Sequence, residues 1–154
     1  MTARRDGGLL EERLTHSVIG SFFDVHRELG FGYRERIYAL ALERALIAKG
    51  HRVDREVAVM VYFRGEPLAR QTLDMIVDEK VVIENKSSER LHPSSSEQLF
   101  SYLCATTLEV GLLLHFGRDP KFYRFICENR LKVRARGSDA NPTKGTIQTR
   151  LESR

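Results

Sequence analysis

The sequence has few features of secreted or membrane proteins. It contains only two cysteines, Cys104 in a helical pattern and Cys127 at the end of a predicted strand. We therefore expect no disulfide framework and a reducing, cytoplasmic setting. The longest apolar run, residues 110–114, is far shorter than the ~20 residues that span a bilayer. The first eight residues lead into no apolar region, so we predict neither a leader peptide nor a membrane segment.

A net positive charge is also absent outside the C-terminal end. The chain of 154 residues has a net charge of +4, but residues 129–154 carry +5, which leaves −1 for residues 1–128. A polar, basic segment with glycines and a proline is typical of disorder, although it could hold phosphates non-specifically. We predict a flexible N-terminus at 1–8, one domain at 9–128, and a basic disordered tail at 129–154. The nearly neutral body does not suggest a basic nucleic-acid-binding face.

The sequence does contain apolar residues that recur regularly, and the spacing of this repeat changes along the chain. Apolar residues recur first at helical spacing, then at alternate positions, and then in short buried-type runs. This pattern predicts helix, helix, three strands, helix, strand and strand, with the three consecutive strands as an antiparallel meander. The segments are 9–29, 34–49, 53–63, 69–77, a strand from 81, a helix from Ser94 to about 107, 110–114 and 122–126. A capping box with Ser94 as N-cap is predicted for the third helix. The fold class is therefore α/β, a mixed sheet with helices for both faces.

Acidic and basic side chains gather on the second and third predicted strands. Glu84 and Lys86 are two residues apart on the third strand and so point to one face. A short hairpin would set Asp74 beside Glu84. The two carboxylates and the backbone carbonyl of Asn85 are oxygen ligands that suit Mg²⁺, and Lys86 would stabilise developing charge. Metal-dependent phosphodiester hydrolysis needs groups of these types.

The same residues also have plainer interpretations. An Asp and a Glu-x-Lys pattern alone is more often a salt-bridged, solvated strand face. The buried-type run before Glu84, however, places the triplet at the end of a central strand, where α/β sheets bind ligands. Gln98 and Tyr102 lie one helical turn apart and would face a substrate phosphate, or would be ordinary boundary residues. Glu35, at the start of the second helix, is either favoured by the helix dipole or a further metal ligand.

Taken in order, these residues resemble a known family. Gly32 to Tyr38 reads G-x-x-E-x-x-Y, the signature of the GxxExxY proteins, which belong to the PD-(D/E)XK nuclease superfamily. The resemblance extends from about His16 to Ile126. It implies a restriction-endonuclease-like core, a four-stranded mixed sheet flanked by helices, plus an edge strand. The implied activity is hydrolysis of nucleic acid, DNA foremost, with Mg²⁺ or alternatively Mn²⁺.

The resemblance also implies individual roles. Metal ligands would be Asp74, Glu84, Glu35 and the Asn85 carbonyl; the catalytic set would add Lys86 and Gln98, and Gln98 and Tyr102 would contact substrate. The sequence departs from the pattern at Leu73, because the superfamily name refers to a proline before the aspartate and this chain has a leucine there. It departs again at His115-Phe116-Gly117, where relatives have Asn-Phe-Gly. We interpret His115 as a capped histidine at a strand end.

Two other functions stay open at this point. One is a nucleic-acid-binding module that keeps the fold and needs a partner for cleavage. The other is an interaction subunit whose acidic pocket is structural. A homodimer through the first helix or the edge strand at 122–126 would fit either function.

Overall fold

A computed structural model describes residues 4–5 and 8–135 of the chain. The first elements are two short strands and two helices: β1 (Arg4–Arg5), β2 (Gly8–Leu9), α1 (Glu12–Leu29) and α2 (Glu35–Ala48). Then come β3 (Val53–Phe63), β4 (Glu66–Val77), β5 (Val81–Lys86) and α3 (Ser94–Ala105). The last elements are β6 (Val110–Phe116), β7 (Pro120–Ile126) and α4 (Asn129–Ala135). No helix in the described ranges is long and apolar enough to cross a membrane.

The main sheet has five strands in the order β3-β4-β5-β6-β7. All neighbours are antiparallel except β5 and β6, which run parallel. The parallel pair requires a crossover, and α3 lies in the connection between the two strands. This is the predicted mixed α/β sheet with helices on both sides, and the antiparallel meander of β3, β4 and β5 is confirmed.

Two apolar clusters hold the helices to opposite faces of the sheet. The central strands β5 and β6 are buried along nearly their whole length, because helices cover both of their faces. On the face covered by α1 and α2, the cluster includes Phe22, Leu42, Ile83 and Leu112. On the face covered by α3, it includes Val82, Leu99, Leu103 and Leu113. Burying each of these side chains contributes ~1.5–3 kcal/mol, so the sheet is a rigid base for what lies at its end.

The turn between α1 and α2 explains most of the G-x-x-E-x-x-Y motif. Gly32 has a φ of 115°, in a region that side chains rarely permit. The buried Tyr38 donates a hydrogen bond to the Gly30 carbonyl at 2.5 Å and stacks on Phe116 with ring centroids 4.5 Å apart. The glycine and the tyrosine therefore fix the turn, and the turn sets Glu35 as the first residue of α2.

Strand β7 also holds the beginning of α1. One guanidinium nitrogen of Arg124 donates to Thr15 Oγ1 at 2.7 Å, and another donates to the Leu10 carbonyl. Thr15 and Leu10 lie 109 and 114 residues before Arg124 in the sequence. The edge strand is thereby tied to the first helix.

The expectation of no disulfide was wrong. Cys104 of α3 and Cys127, directly after β7, form a disulfide with Cα atoms 5.5 Å apart. The two cysteines are 23 residues apart, and they meet because β7 returns antiparallel to β6 beneath the end of α3. Cysteine content therefore no longer supports the predicted reducing, cytoplasmic setting.

The predicted capping box was also wrong. Pro93, in a helical conformation, is the N-cap of α3, and no side chain caps the helix. The Ser94 hydroxyl instead lies 2.7 Å from His92 Nδ1. Ser94 is therefore the first residue of α3 and not its N-cap.

Helix α4 occupies residues 129–135, where we predicted the start of the tail. Its buried Lys132 donates to the carbonyls of Thr106 and Leu108, both at 2.6 Å. A cation at the C-terminal end of α3 is favourable because helix carbonyls there carry partial negative charge. The remaining tail residues, 136–154, lie outside the described part of the chain.

Candidate active site

The site lies where β4 and β5 stop pairing. Within the described residues, these strands pair through Met75–Val77 and Val81–Ile83. One step further along the same register places Asp74 opposite Glu84. At this position the carboxylates accept the hydrogen bonds of the backbone: Asn85 N donates to Asp74 Oδ2 at 2.8 Å, and Asp74 N donates to Glu84 Oε1 at 3.3 Å. The hairpin therefore brings the two predicted ligands together as the sequence suggested.

Glu84 is in an environment that opposes its negative charge. Its side chain is 8% exposed. Burial, followed by the charge of Asp74, raises the pKa of Glu84 to about 8, while the hydrogen bond from Asp74 N and the charge of Lys86 act in the opposite direction. A buried carboxylate beside a second, half-buried one makes a position that favours a cation.

Lys86 and Glu35 complete the charged group from two directions. Lys86 is half-buried two residues after Glu84 and shares its face of β5. Burial raises the pKa of Glu35, the charge of Lys86 lowers it, and the charge of Asp74 raises it. The N-terminus of α2 therefore lies within electrostatic reach of Asp74 in β4 and of Lys86 at the end of β5.

The donor set fits a small divalent cation that keeps part of its hydration. Among the described residues, no three His, Cys, Asp or Glu side chains lie close enough to hold one ion. Asp74 and Glu84 would therefore supply two carboxylates, and Glu35 does not join them in a three-carboxylate cluster. Mg²⁺ is commonly bound through one or two carboxylates, together with water and substrate phosphate. The Asn85 backbone carbonyl is the further ligand that the strand can offer.

The side chain of Asn85 lies on the other face of the sheet. Its amide is fully buried, and neither polar atom has a hydrogen-bond partner among the described residues. Strand alternation places it on the face of Ile83, and its register partner is Leu114. Asn85 therefore contributes its main chain, not its side chain, to the contact with Asp74. The alternation of β5 was the sequence signal for this orientation.

The two predicted residues of α3 differ in their surroundings. Tyr102 is half-buried, and its hydroxyl donates to Gln71 Oε1 at 3.2 Å. Tyr102 therefore joins α3 to β4, which is the packing alternative for this residue. Gln98 is exposed, and in the described part of the chain no hydrogen bond joins it to Asp74, Glu84 or Lys86. Sequence reasoning missed Gln71, whose only signal was its position three residues before Asp74 on the same strand.

His115 closes the loop that follows the triplet. It is buried, it is the register partner of Lys86, and its Nε2 lies 2.6 Å from the Ser88 carbonyl oxygen. A Cβ on Gly117 would lie 2.8 Å from the His115 ring, so only glycine fits there without movement. His115 is thus a satisfied strand-end histidine, as predicted.

Comparison with known protein families agrees with the architecture. The model of the PD-(D/E)XK nuclease superfamily matches residues 12–125, and the chain belongs to this superfamily. No curated protein matches the chain. Among solved structures, the chain is similar to the one titled "Crystal structure of SSO0001", with 22% identity and a TM-score of 0.47. The similarity covers 80% of this chain and 64% of that one, so the chain spans less than two thirds of that protein.

Proposed function

We propose that this protein is a metal-dependent nuclease that hydrolyses phosphodiester bonds of nucleic acid, with DNA as the foremost substrate and Mg²⁺ or Mn²⁺ as cofactor. The observation that carries the proposal is the contact between Asp74 and Glu84 beside Lys86, in which burial and repulsion raise the pKa of Glu84 to about 8. Superfamily membership supports the same conclusion. We also propose that the chain is a GxxExxY protein, since the motif residues fix the turn before Glu35.

Each residue at the ends of β4, β5 and α2 would have its own role in the reaction. Asp74, Glu84 and the Asn85 carbonyl would hold the cation. When bound, a divalent cation polarises the phosphate and lowers the pKa of water. Lys86 would neutralise negative charge that develops on the phosphate oxygens, and it offsets the two carboxylates when they are ionised. Glu35 would act on the site through its charge, from the helical side.

The residues of α3 would act on the substrate. Gln98 is exposed and would donate a hydrogen bond to a substrate phosphate. Tyr102 would act as a positioning residue, because its hydroxyl already holds Gln71 of β4.

The test is cleavage of single-stranded DNA, duplex DNA and RNA by the purified chain with Mg²⁺, Mn²⁺ or EDTA. We expect cleavage with metal, and a ~10²–10³-fold lower rate for Lys86→Ala, because one group that stabilises transition-state charge has this effect. Asp74→Ala should be at least as defective. The matched control is Lys80→Ala, which removes an exposed lysine from the turn at the opposite end of β5. Undiminished cleavage by both site variants would refute the assignment.

A second function is supported by the charge of the body. Residues 1–128 carry a net charge of −1, which does not favour tight binding to a polyanion. This charge favours an interaction subunit that retains the nuclease fold; a non-cleaving nucleic-acid-binding subunit, which needs a partner for cleavage, is the related alternative. Exposed Phe122 and Tyr123 on the edge strand β7 would be available for a homodimer. Binding without cleavage across all substrates would favour the binding subunit, and failure to bind either metal or nucleic acid would favour the interaction subunit.

A further inference from the structure

Strands β3 and β4 continue beyond the sheet as a two-stranded ribbon that comprises residues 58–72. The two strands stay paired to their turn, Phe63 opposite Glu66. In the described residues, β4 pairs with β5 only from Met75 onward. Because β4 is antiparallel to β5, the residues before Asp74 project past the end of β5 that carries Lys86. The ribbon therefore extends from the candidate active site.

The tip of the ribbon combines aromatic, apolar and basic side chains. Phe63 is 57% exposed and Leu68 is 65% exposed. The guanidinium of Arg64 lies 5.0 Å from the centroid of the Phe63 ring. Arg70 is also exposed, and Glu66 is the one acidic residue in the ribbon. The exposed surface thus has a net positive charge and two large apolar side chains that no described element covers.

The base of the ribbon is held in a fixed relation to the site. At the base, Gln71 is bonded to Tyr102 of α3 at 3.2 Å; nearer the tip, Tyr62 packs on the apolar cluster beneath α3. Along the strand, Arg70 is four residues from Asp74, a distance of about 13 Å at ~3.3 Å per residue. A ligand that lies on the tip and follows β4 would therefore reach Asp74 and Glu84.

We propose that the ribbon binds single-stranded nucleic acid and directs it into the site. This inference rests on the proposed function and specifies its substrate class. Bases of a single strand stack on exposed aromatic rings, and guanidinium groups bind the accompanying phosphates. A duplex presents phosphates but keeps its bases stacked inside, so it would leave Phe63 and Leu68 uncovered. Two arginines against one glutamate favour a polyanion over a second copy of the same tip.

The experiment measures binding of the full chain to a fluorescein-labelled thymidine oligonucleotide by fluorescence anisotropy. EDTA is present, so that no metal-dependent cleavage occurs. We expect Phe63→Ala to weaken binding about tenfold or more, as loss of a stacked base does. Arg70→Ala should weaken binding and reduce the dependence on salt by about 0.7 in the log–log slope, as expected for one phosphate contact of a single strand. The matched controls are Lys80→Ala, in the turn at the opposite end of β5, and Ile47→Ala, an exposed apolar side chain of α2; both should bind like the parent chain.

The outcomes separate this inference from the proposed function. If the parent binds the single strand and the ribbon variants lose binding, the ribbon assignment stands even if no metal supports cleavage. If the ribbon variants bind like the controls, the assignment is overturned, whatever the nuclease assay shows. Equal affinity of the parent for duplex and single strand would also overturn it. The assignment would also be overturned if the sole effect of Phe63→Ala were a loss of self-association, measured by light scattering. The substituted side chains are exposed, and an unchanged unfolding midpoint confirms that the variants fold.

Discussion

At the scale of single residues, Glu84 connects the stability of the protein to its function. Its carboxyl group is buried beside Asp74, and its pKa is raised from 4.5 to about 8. A raised pKa means that the folded state prefers the protonated form. The contribution of Glu84 to stability is therefore fully present below pH 4.5 and is lost as the pH rises through about 8.

Glu84→Gln should remove this pH dependence in the metal-free protein. Glutamine keeps the shape and carries no charge, so the variant should equal the parent at about pH 4 or below. Above about pH 8 it should be more stable by at least ~1 kcal/mol, because one unit of pKa corresponds to ~1.4 kcal/mol. Urea unfolding in EDTA across this range measures the difference. Glu66→Gln, an exposed carboxylate in the ribbon, is the control. A parent more stable than Glu84→Gln at high pH would show that burial and repulsion do not oppose the charge of Glu84.

The pairing of Asp74 with Glu84 was predictable, and the surroundings of other site residues were not. Register follows from a short hairpin and from alternation, which are local properties of the sequence. The bond between Tyr102 and Gln71 instead joins residues 31 apart, and it depends on how α3 packs against β4. The raised pKa of Glu84 likewise depends on burial, which the chain sets only once both faces of the sheet are covered.

At the scale of elements, the ends of the predicted helices and strands differ from the observed ones for identifiable reasons. We predicted the second strand from residue 69, whereas β4 begins at Glu66. Pro67 pairs with Tyr62 at a register shift, where a strand tolerates a residue without an N–H. The ribbon is consequently longer than the hydrophobic pattern indicated.

A hydrogen-bonded chain joins α1 to the sheet on the side away from the site. The Ser17 hydroxyl lies 2.7 Å from His51 Nε2, and His51 Nδ1 lies 2.7 Å from Asp78 Oδ2. Burial raises the pKa of Asp78, but hydrogen bonds from His51 and from Arg52 N outweigh it and leave the pKa lowered. Ser17 is in the middle of α1, where the helix itself uses the backbone N–H groups. These N–H groups therefore cannot stabilise an oxyanion beside Ser17. The hydrogen bonds between Ser17, His51 and Asp78 hold α1 to the sheet, and Ser17 does not act as a nucleophile.

The disulfide between α3 and the end of β7 should stabilise the fold. It closes a loop of 23 residues, and the loss of chain entropy in the unfolded state predicts about 3 kcal/mol. Cys104→Ser combined with Cys127→Ser should lower the free energy of unfolding by this amount under oxidising conditions. Urea unfolding with and without reductant measures it. The double variant is its own control, since reductant should not change its stability; equal stability of parent and variant without reductant would contradict the prediction.

At the scale of the whole molecule, the site is a local concentration of negative charge in a rigid frame. The two apolar clusters fix the sheet from both sides, so Asp74 and Glu84 have little freedom to move apart. Repulsion between them is therefore relieved by a proton or by a cation.

Divalent metal should accordingly stabilise the folded protein. We expect Mn²⁺ at a few times its dissociation constant to raise the free energy of unfolding by about 1 kcal/mol. The effect should be larger at pH 8 than at pH 6, because metal displaces the proton of Glu84. Thermal unfolding with metal or EDTA measures it. Asp74→Asn should abolish the response and Asp119→Asn, an exposed acid, should retain it. A response retained by Asp74→Asn would place the ion elsewhere.

The bond from Arg124 to the beginning of α1 has a consequence for synthesis on the ribosome. Thr15 is made 109 residues before the arginine that holds it. The strands β4 and β5 also precede β6 and β7, which complete the sheet. During translation, the nascent chain therefore carries an unfinished sheet with an open edge and apolar faces, the features that promote aggregation. Slow or interrupted translation within residues 87–123 would prolong that exposure, so the yield of folded protein should depend on how fast this stretch is translated.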